Sequence, residues 1–314
     1  MALPYQAVLL IAFGGPTRPE EIRPFLARVT EGVPIPPQRL DEVAHHYEAV
    51  GGKSPLNEIT ERQAHALGKL LNDHNQPLPV FVGMRNSNPF FAETLKQMRS
   101  AAITRALGFI LSSHRTEASW ERYQKNIADA RTELGNDAPE IGYCEGWHDH
   151  PLFIQCWAEL IAAALTRIAP ERNNPTPLIF TAHSLPTAMA ARSPYVDEIQ
   201  TTARLIANSL NRGSWSLAYQ SRSGRPRDPW LEPDIGKMIR DFAARGVKDV
   251  VVAPIGFVCD HVEVLYDLDI EAKQLAADLG MNFIRASCPN DHPTFIRMMA
   301  SVIEERIKKA EDRG

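Results

Sequence analysis

The sequence predicts an α/β protein made of two βαβ-rich halves, each built on a parallel sheet, with a cleft between them and a boundary near residue 146. Three observations predict it. Short apolar runs alternate with stretches of helical period, the pattern of a parallel sheet with both faces covered. That alternation starts afresh after residue 146. Finally, 314 residues with 44% hydrophobic and 23% charged side chains can fill one large core or two ordinary ones.

In the first half, residues 7–13 form a strand that ends in GGP, and 19–29 an amphipathic helix. GVPIPPQR (32–39) holds too many breakers to be regular. Helices are expected at 40–47 and 57–72, separated by the loop GGKSPL (51–56). A strand at 80–84 leads through RNSNP into a helix from Phe90; a strand at 106–112 leads into a helix at 119–134.

The second half opens with a weak strand at 141–142 and a long amphipathic helix at 150–168, with Trp157 on its apolar side. The linker PERNNPTP (170–177) enters a strand, LIFTA, that delivers His183 at its tip and is stopped by Pro186. A helix at 195–211, a strand at 215–220 and an irregular loop at 221–233 follow; within that loop PWL reads as a hydrophobic anchor. Then come a helix at 235–244, strands at 249–257 and 282–286, and an amphipathic helix from 294 to about 309. No short-period repeat or low-complexity tract occurs.

The densest chemistry lies in 251–271, VVAPIGFVCDHVEVLYDLDIE. Gly256 is expected to break the strand, and Glu263, Asp267 and Glu271 then recur every four residues, with Asp260 and Asp269 nearby. On an α-helix each such step overshoots a full turn by roughly 40°, giving a slanted row, which a wider π-type turn would straighten. Like charges at this spacing repel, and Lys273 is the first cation after them. The row is either a solvated acidic face or a path for a hard divalent cation, which carboxylate oxygens suit. Its place beyond a strand end favours the cation, because ligands of open α/β sheets bind there. The imidazole of His183, at a second strand tip, would face the same cleft, and no other histidine is placed to replace it.

Other classes are excluded. A net charge of −4 argues against a nucleic-acid partner. The N-terminus lacks a basic leader, and its apolar run of about eight residues is too short to span a bilayer, so a soluble cytoplasmic chain is expected. Cys144, Cys156, Cys259 and Cys288 have no C-x-x-C spacing and suit reduced thiols. Nucleotide-binding G-x-G-x-x-G and Walker patterns are missing, as is the G-x-S-x-G of hydrolases.

FGGPTRPEEIRPFL, YEAVGGKSPLNEITERQA, VGMRNSNPF, FTAHSLP, YQSRSGRPRDPWLEP and PIGFVCDHVEVLYDLDIEA together resemble the ferrochelatase family, from about residue 7 to 290. The resemblance implies two Rossmann-like, doubly wound domains with parallel four-stranded sheets: 1–145 with the C-terminal helix (293–314), and 146–292 carrying His183 and Glu263. It implies a lyase of haem biosynthesis that inserts ferrous iron into a porphyrin with no organic cofactor. His183 and Glu263 match the catalytic, metal-facing pair, and Asp267 and Glu271 the acidic line that continues from it as a metal path. The branch that acts on coproporphyrin III to give coprohaem is most similar, with protoporphyrin IX as the alternative substrate and a non-catalytic porphyrin or haem carrier as the rival from another class. Phe13, Thr30, His46, Ser54 and Tyr123 match porphyrin-contacting positions. Ser54 reads equally as a turn cap and Tyr123 as core packing. Some relatives carry Tyr at position 13 and Arg at 30 and 46, so Arg85 and Arg115 are candidate replacements for the lost charge. Relatives with an iron–sulfur cluster hold it through clustered C-terminal cysteines; with Cys288 alone there, no cluster is expected. A monomer is expected, with neighbouring haem-pathway enzymes as candidate partners.

Overall fold

Among the described residues, eight apolar runs become strands, which hydrogen-bond as two separate parallel sheets of four. In the computed structural model these residues are 4–32, 35–173, 176–223 and 228–312. Strands β1 (Ala7–Ala12), β2 (Val80–Met84), β3 (Arg105–Ile110) and β4 (Glu140–Tyr143) take the order β2-β1-β3-β4. Strands β5 (Leu178–His183), β6 (Ser216–Gln220), β7 (Asp249–Ala253) and β8 (Asn282–Arg285) take the order β6-β5-β7-β8. One topology is therefore used twice. Every residue of β1 and β7 is buried, which is why these runs are apolar throughout rather than alternating.

The chain divides into two units: Met1–Ser112, Glu117–Trp147 and Asp291–Gly314 form unit 1, and Ser113–Thr116 with His148–Asn290 form unit 2. Residues 113–116, which chain order assigns to the first half, cluster with unit 2 because buried Glu198 holds them. Its carboxylate accepts from the Arg115 N–H (2.7 Å) and Nε (2.6 Å). In unit 1 the C-terminal helix Pro293–Glu311 packs on helix Leu56–Asp73 and β3. Its Phe295 meets Trp147 edge-on with ring centroids 5.9 Å apart.

Several local expectations are corrected. β7 stops at Ala253, not 257, because Pro254 has no N–H for a ladder. The helix expected from residue 40 starts at Pro37, a first-turn position where a missing donor costs nothing. The helix at 19–29 begins as a 3₁₀ turn, Pro19–Glu21, and becomes α over Ile22–Val29. A π segment, Glu117–Glu121, precedes helix Arg122–Leu134. The linker holds a helical turn, Pro170–Asn173, and short helices Thr187–Ala190 and Lys273–Asp278 were not foreseen. The 221–233 loop is less irregular than expected, because Trp230 bridges Pro186 in antiparallel fashion. Parts of three predicted loops, 33–34, 174–175 and 224–227, lie outside the described residues.

Candidate active site

His183 is the last residue of β5, at the carboxyl edge of the unit 2 sheet. The chain beyond it is tied down on three sides. The Ser184 N–H donates to the Gln220 carbonyl (2.7 Å), its hydroxyl to the Leu231 carbonyl (3.0 Å), and the Tyr195 hydroxyl to the His183 carbonyl (2.9 Å). The imidazole Nδ1 faces the Ser184 carbonyl, which only accepts, so Nδ1 carries a proton and Nε2 of the neutral ring carries the lone pair. Nε2 stands 3.6 Å from Glu263 Oε1, and the two side chains are 28% and 40% exposed. Burial pulls the imidazole pKa down, but the Glu263 carboxylate, the Ser184 carbonyl and Asp267 outweigh it and leave the pKa raised. The ring is thus a stronger proton acceptor than a free histidine.

Glu263 reaches that position through a tight turn. After β7 the chain crosses β5, where the Gly256 N–H donates to the Thr181 carbonyl (3.0 Å). A Cβ on Gly256 would lie 2.6 Å from the Ala182 Cβ and 2.7 Å from its Cα, so only glycine permits the crossing. Gly256 therefore serves close approach, whereas Pro254 ends the strand. His261 then caps helix Val262–Tyr266: its Nδ1 accepts the Glu263 N–H (3.2 Å), and its ring meets Phe257 edge-on at 4.8 Å. Burial lowers its pKa, with Glu263 and Asp260 opposing and His183 reinforcing the fall. A second histidine therefore stands near His183, with its Nδ1 engaged as the helix cap. His261 is close enough to feel the charge of His183, and its acceptor Nδ1 suits a neutral ring.

The acidic stretch crosses from α-helix (Val262–Tyr266) to π-helix (Asp267–Ala272) and back to α (Lys273–Asp278). The α step from Glu263 to Asp267 overshoots a turn, and the wider π turn makes the next step fall short, so the row straightens. It runs from half-buried Glu263 and Asp267 to exposed Glu271. Burial raises the Asp267 pKa to about 7; the Ser221 hydroxyl, which donates to its Oδ2, opposes this, Glu263 and Glu271 add to it, and His183 opposes.

The other two carboxylates have a different job. The Arg285 guanidinium forks onto Asp269 through Nε and Nη2 (both 2.7 Å) and reaches Asp260 through Nη1 (2.8 Å). Asp260 also accepts from the Asn290 amide (2.7 Å) and so pins the loop before His261. Arg285 lies in β8, so the cation that sorts this acidic stretch was out of reach of a local reading.

The predicted porphyrin contacts Phe13, Thr30, His46, Ser54 and Tyr123 all belong to unit 1. Phe13, at the tip of β1, keeps 36% exposure and meets Phe25 edge-on at 6.1 Å. Its carbonyl is held by the Asn86 N–H (3.0 Å) and Nδ2 (3.1 Å). Behind it the motifs FGGP, KSPLN and NSNP close into one knot. The Gly15 N–H donates to Asn57 Oδ1 (2.8 Å) and Ser87 Oγ (3.1 Å), and Asn57 Nδ2 donates to Ser87 Oγ (3.1 Å). A Cβ on Gly15 would lie 2.6 Å from the Ser54 Cβ. Ser54 is 3% exposed, and its Oγ accepts the Leu56 N–H (3.3 Å), as a turn cap does. Thr30 donates its hydroxyl to the Leu26 carbonyl (2.8 Å), and Tyr123 lies in the hydrophobic core. His46 is half-buried in the last turn of helix Pro37–Ala49. Of the two candidate cations, Arg115 is held by Glu198. Arg85, one residue past β2 and half-buried, pairs with no carboxylate among the described residues, and burial lowers its pKa.

The chain is similar to known proteins along nearly its whole length. A family model described as Ferrochelatase matches residues 5–307. The chain is 39% identical over 313 residues to a Ferrochelatase of Rhodopirellula baltica, covering 99% of this chain and 88% of the relative. It is 42% identical over 310 residues to the Coproporphyrin III ferrochelatase of Nocardia farcinica, covering 96% and 88%. Among solved structures, SirB from Bacillus subtilis with Fe3+ superposes with a TM-score of 0.60 at 10% identity, covering 98% of each chain. That likeness is one of fold.

Proposed function

We infer the reaction from one premise: this chain belongs to the ferrochelatase family. It inserts ferrous iron into coproporphyrin III to give coprohaem, the substrate for which its actinobacterial relatives are named. The observation that carries the catalytic assignment is the approach of His183 Nε2 to Glu263 Oε1 at 3.6 Å. Metallation needs two pyrrole N–H protons removed and a hydrated ferrous ion stripped of water. The Ser184 carbonyl keeps the proton on Nδ1, which leaves Nε2 free to take a pyrrole proton, and the Glu263 carboxylate stabilises the imidazolium that forms. Before it is protonated, the same Nε2 lone pair can ligate the incoming iron together with the Glu263 carboxylate; once the pyrrole nitrogens hold the metal, Nε2 takes one of the two pyrrole protons and the other leaves to solvent. Asp267 and Glu271 lead hydrated iron in from the exposed end of the row, and Asp267, with a pKa of about 7, exchanges charge at working pH.

Phe13 offers an apolar face to the ring, and His46 and Arg85 are the groups in unit 1 suited to propionates. Thr30 contributes little, since its hydroxyl already donates to Leu26. The reading requires no organic cofactor and no iron–sulfur cluster, and treats the protein as a cytoplasmic monomer; among the described residues, no helix is long and apolar enough to cross a membrane. The test is to incubate purified protein anaerobically with ferrous iron and either coproporphyrin III or protoporphyrin IX, following the Soret band. Faster turnover on coproporphyrin III, abolished in His183→Ala while the porphyrin still binds, is expected. Equal or faster turnover on protoporphyrin IX overturns the substrate assignment, and near-native turnover in His183→Ala overturns the catalytic one.

A further inference from the structure

We infer that Gln220, together with Thr181 behind it, is the positioning device that sets the separation of His183 and Glu263. The inference rests on the assignment of those two residues to metal insertion. Gln220 is the last residue of β6 and lies opposite His183 in the β5–β6 register. It is 1% exposed, and its carbonyl and both ends of its side-chain amide hydrogen-bond around the site. Its main-chain carbonyl accepts the Ser184 N–H at 2.7 Å, directly after His183. Its side-chain Nε2 donates to the main-chain carbonyl of Glu263 at 2.9 Å. Its Oε1 accepts the hydroxyl of Thr181, a β5 residue with no exposure, at 2.9 Å. A carbonyl only accepts, so the amide nitrogen must face Glu263, and the amide orientation is fixed by chemistry.

The Gln220 amide meets the Glu263 carbonyl where the helix changes type. In an unbroken α-helix its partner is the N–H four residues on, at Asp267. At the switch to π-helix that N–H reaches back to Val264 instead. The Gln220 amide donates to the Glu263 carbonyl at the point where the helix changes type, on the residue whose carboxylate faces His183. One buried amide therefore fastens the imidazole's strand and the carboxylate's helix to each other, and supports the π turn that straightens the row. Nothing in Gln220 or Thr181 touches the reacting atoms.

Thr181→Val, Thr181→Ser, Gln220→Met and the Thr181→Val/Gln220→Met pair, made in the full chain, test it. Removing the hydroxyl or the amide lets the pair drift, and a displacement of about 1 Å is expected to lower kcat roughly tenfold or more with the KM for porphyrin unchanged. Thr181→Ser keeps the donor and is expected to restore kcat. The double variant is expected to be no slower than Gln220→Met alone, because Thr181 acts through Gln220. Cobalt(II) binding without porphyrin, read by its ligand-field absorption, is expected to weaken about tenfold in Thr181→Val, as for a displaced supporting shell. That arm separates the two ideas: a native chain that binds cobalt(II) yet metallates no porphyrin defeats the proposed function and leaves the positioning role standing. Unchanged kcat and cobalt(II) affinity in folded Thr181→Val and Gln220→Met, with only the melting temperature lowered, overturns the positioning role, as do additive effects in the double variant.

Discussion

Asp267→Asn is expected to stabilise the chain increasingly, relative to the native protein, as pH rises. Burial beside Glu263 and Glu271 lifts the Asp267 pKa from 3.8 to about 7. Between those values the folded chain keeps a proton that the unfolded chain has lost, so native stability falls as pH rises through the window. Below it both states are protonated and the site costs nothing; above it the full cost is present and constant. Each unit is worth about 1.4 kcal/mol, so roughly 3 kcal/mol separates about pH 5 from about pH 8.5. Asparagine keeps a side-chain oxygen to accept the Ser221 hydroxyl and carries no charge at any pH, so it lacks this dependence. Urea unfolding of both chains at the two pH values measures the difference. The variant should gain about 3 kcal/mol on the native chain between about pH 5 and about pH 8.5. A difference that stays the same at both would refute the reasoning, since it would mean that Asp267 ionises freely in the fold.

The other predictions follow from the same geometry. Arg285→Met leaves Asp260 and Asp269 facing each other without their cation; with Arg285 13% exposed, a loss of about 3–5 kcal/mol in denaturant unfolding is expected, and less than 1 kcal/mol would mean water already screens the cluster. Gly256→Ala forces a methyl group into the Ala182 contact at 2.6 Å; a cost of about 1–3 kcal/mol is expected, with slower metallation because the displaced turn carries Glu263. Glu263→Gln removes the carboxylate that raises the His183 pKa, so the ring should titrate at lower pH by NMR, and an unmoved titration would mean that the pair does not interact.

Much of the fold was legible because it rests on burial. Central strands covered on both faces must be continuous apolar runs, and β1, β5 and β7 are. Errors fell where a local rule met a long-range one. Gly256 looked like the end of a strand, but what it serves is a crossing over Ala182, 74 residues earlier in the numbering. Residues 113–116 joined unit 2 because of Glu198, and no local pattern announces a partner more than 80 residues away. The switch to π-helix was foreseeable only as something that would straighten the acidic row, since α and π turns share one residue vocabulary.

The site was legible in its residue types and illegible in its sorting. A run of five carboxylates in 260–271 offers no local clue that Asp260 and Asp269 are neutralised by one guanidinium, 25 and 16 residues on respectively, whereas the three at four-residue spacing form the row. The same blindness worked in reverse in unit 1. Ser54 matched a porphyrin-contacting position and read equally as a turn cap; in the fold Gly15, Ser54, Asn57 and Ser87 hydrogen-bond or pack chiefly with one another. A turn that crowded tolerates few side chains, so specificity of sequence there follows from packing alone and does not mark chemistry. His183 and Glu263 differ because nothing in packing requires an imidazole at one strand end and a partly exposed carboxylate in the helix that follows the neighbouring strand. Their missing partner, Gln220, could have been suspected from YQS at the tip of the strand paired with β5. An uncharged amide at a strand end attracts notice only once the carbonyl it satisfies has been found.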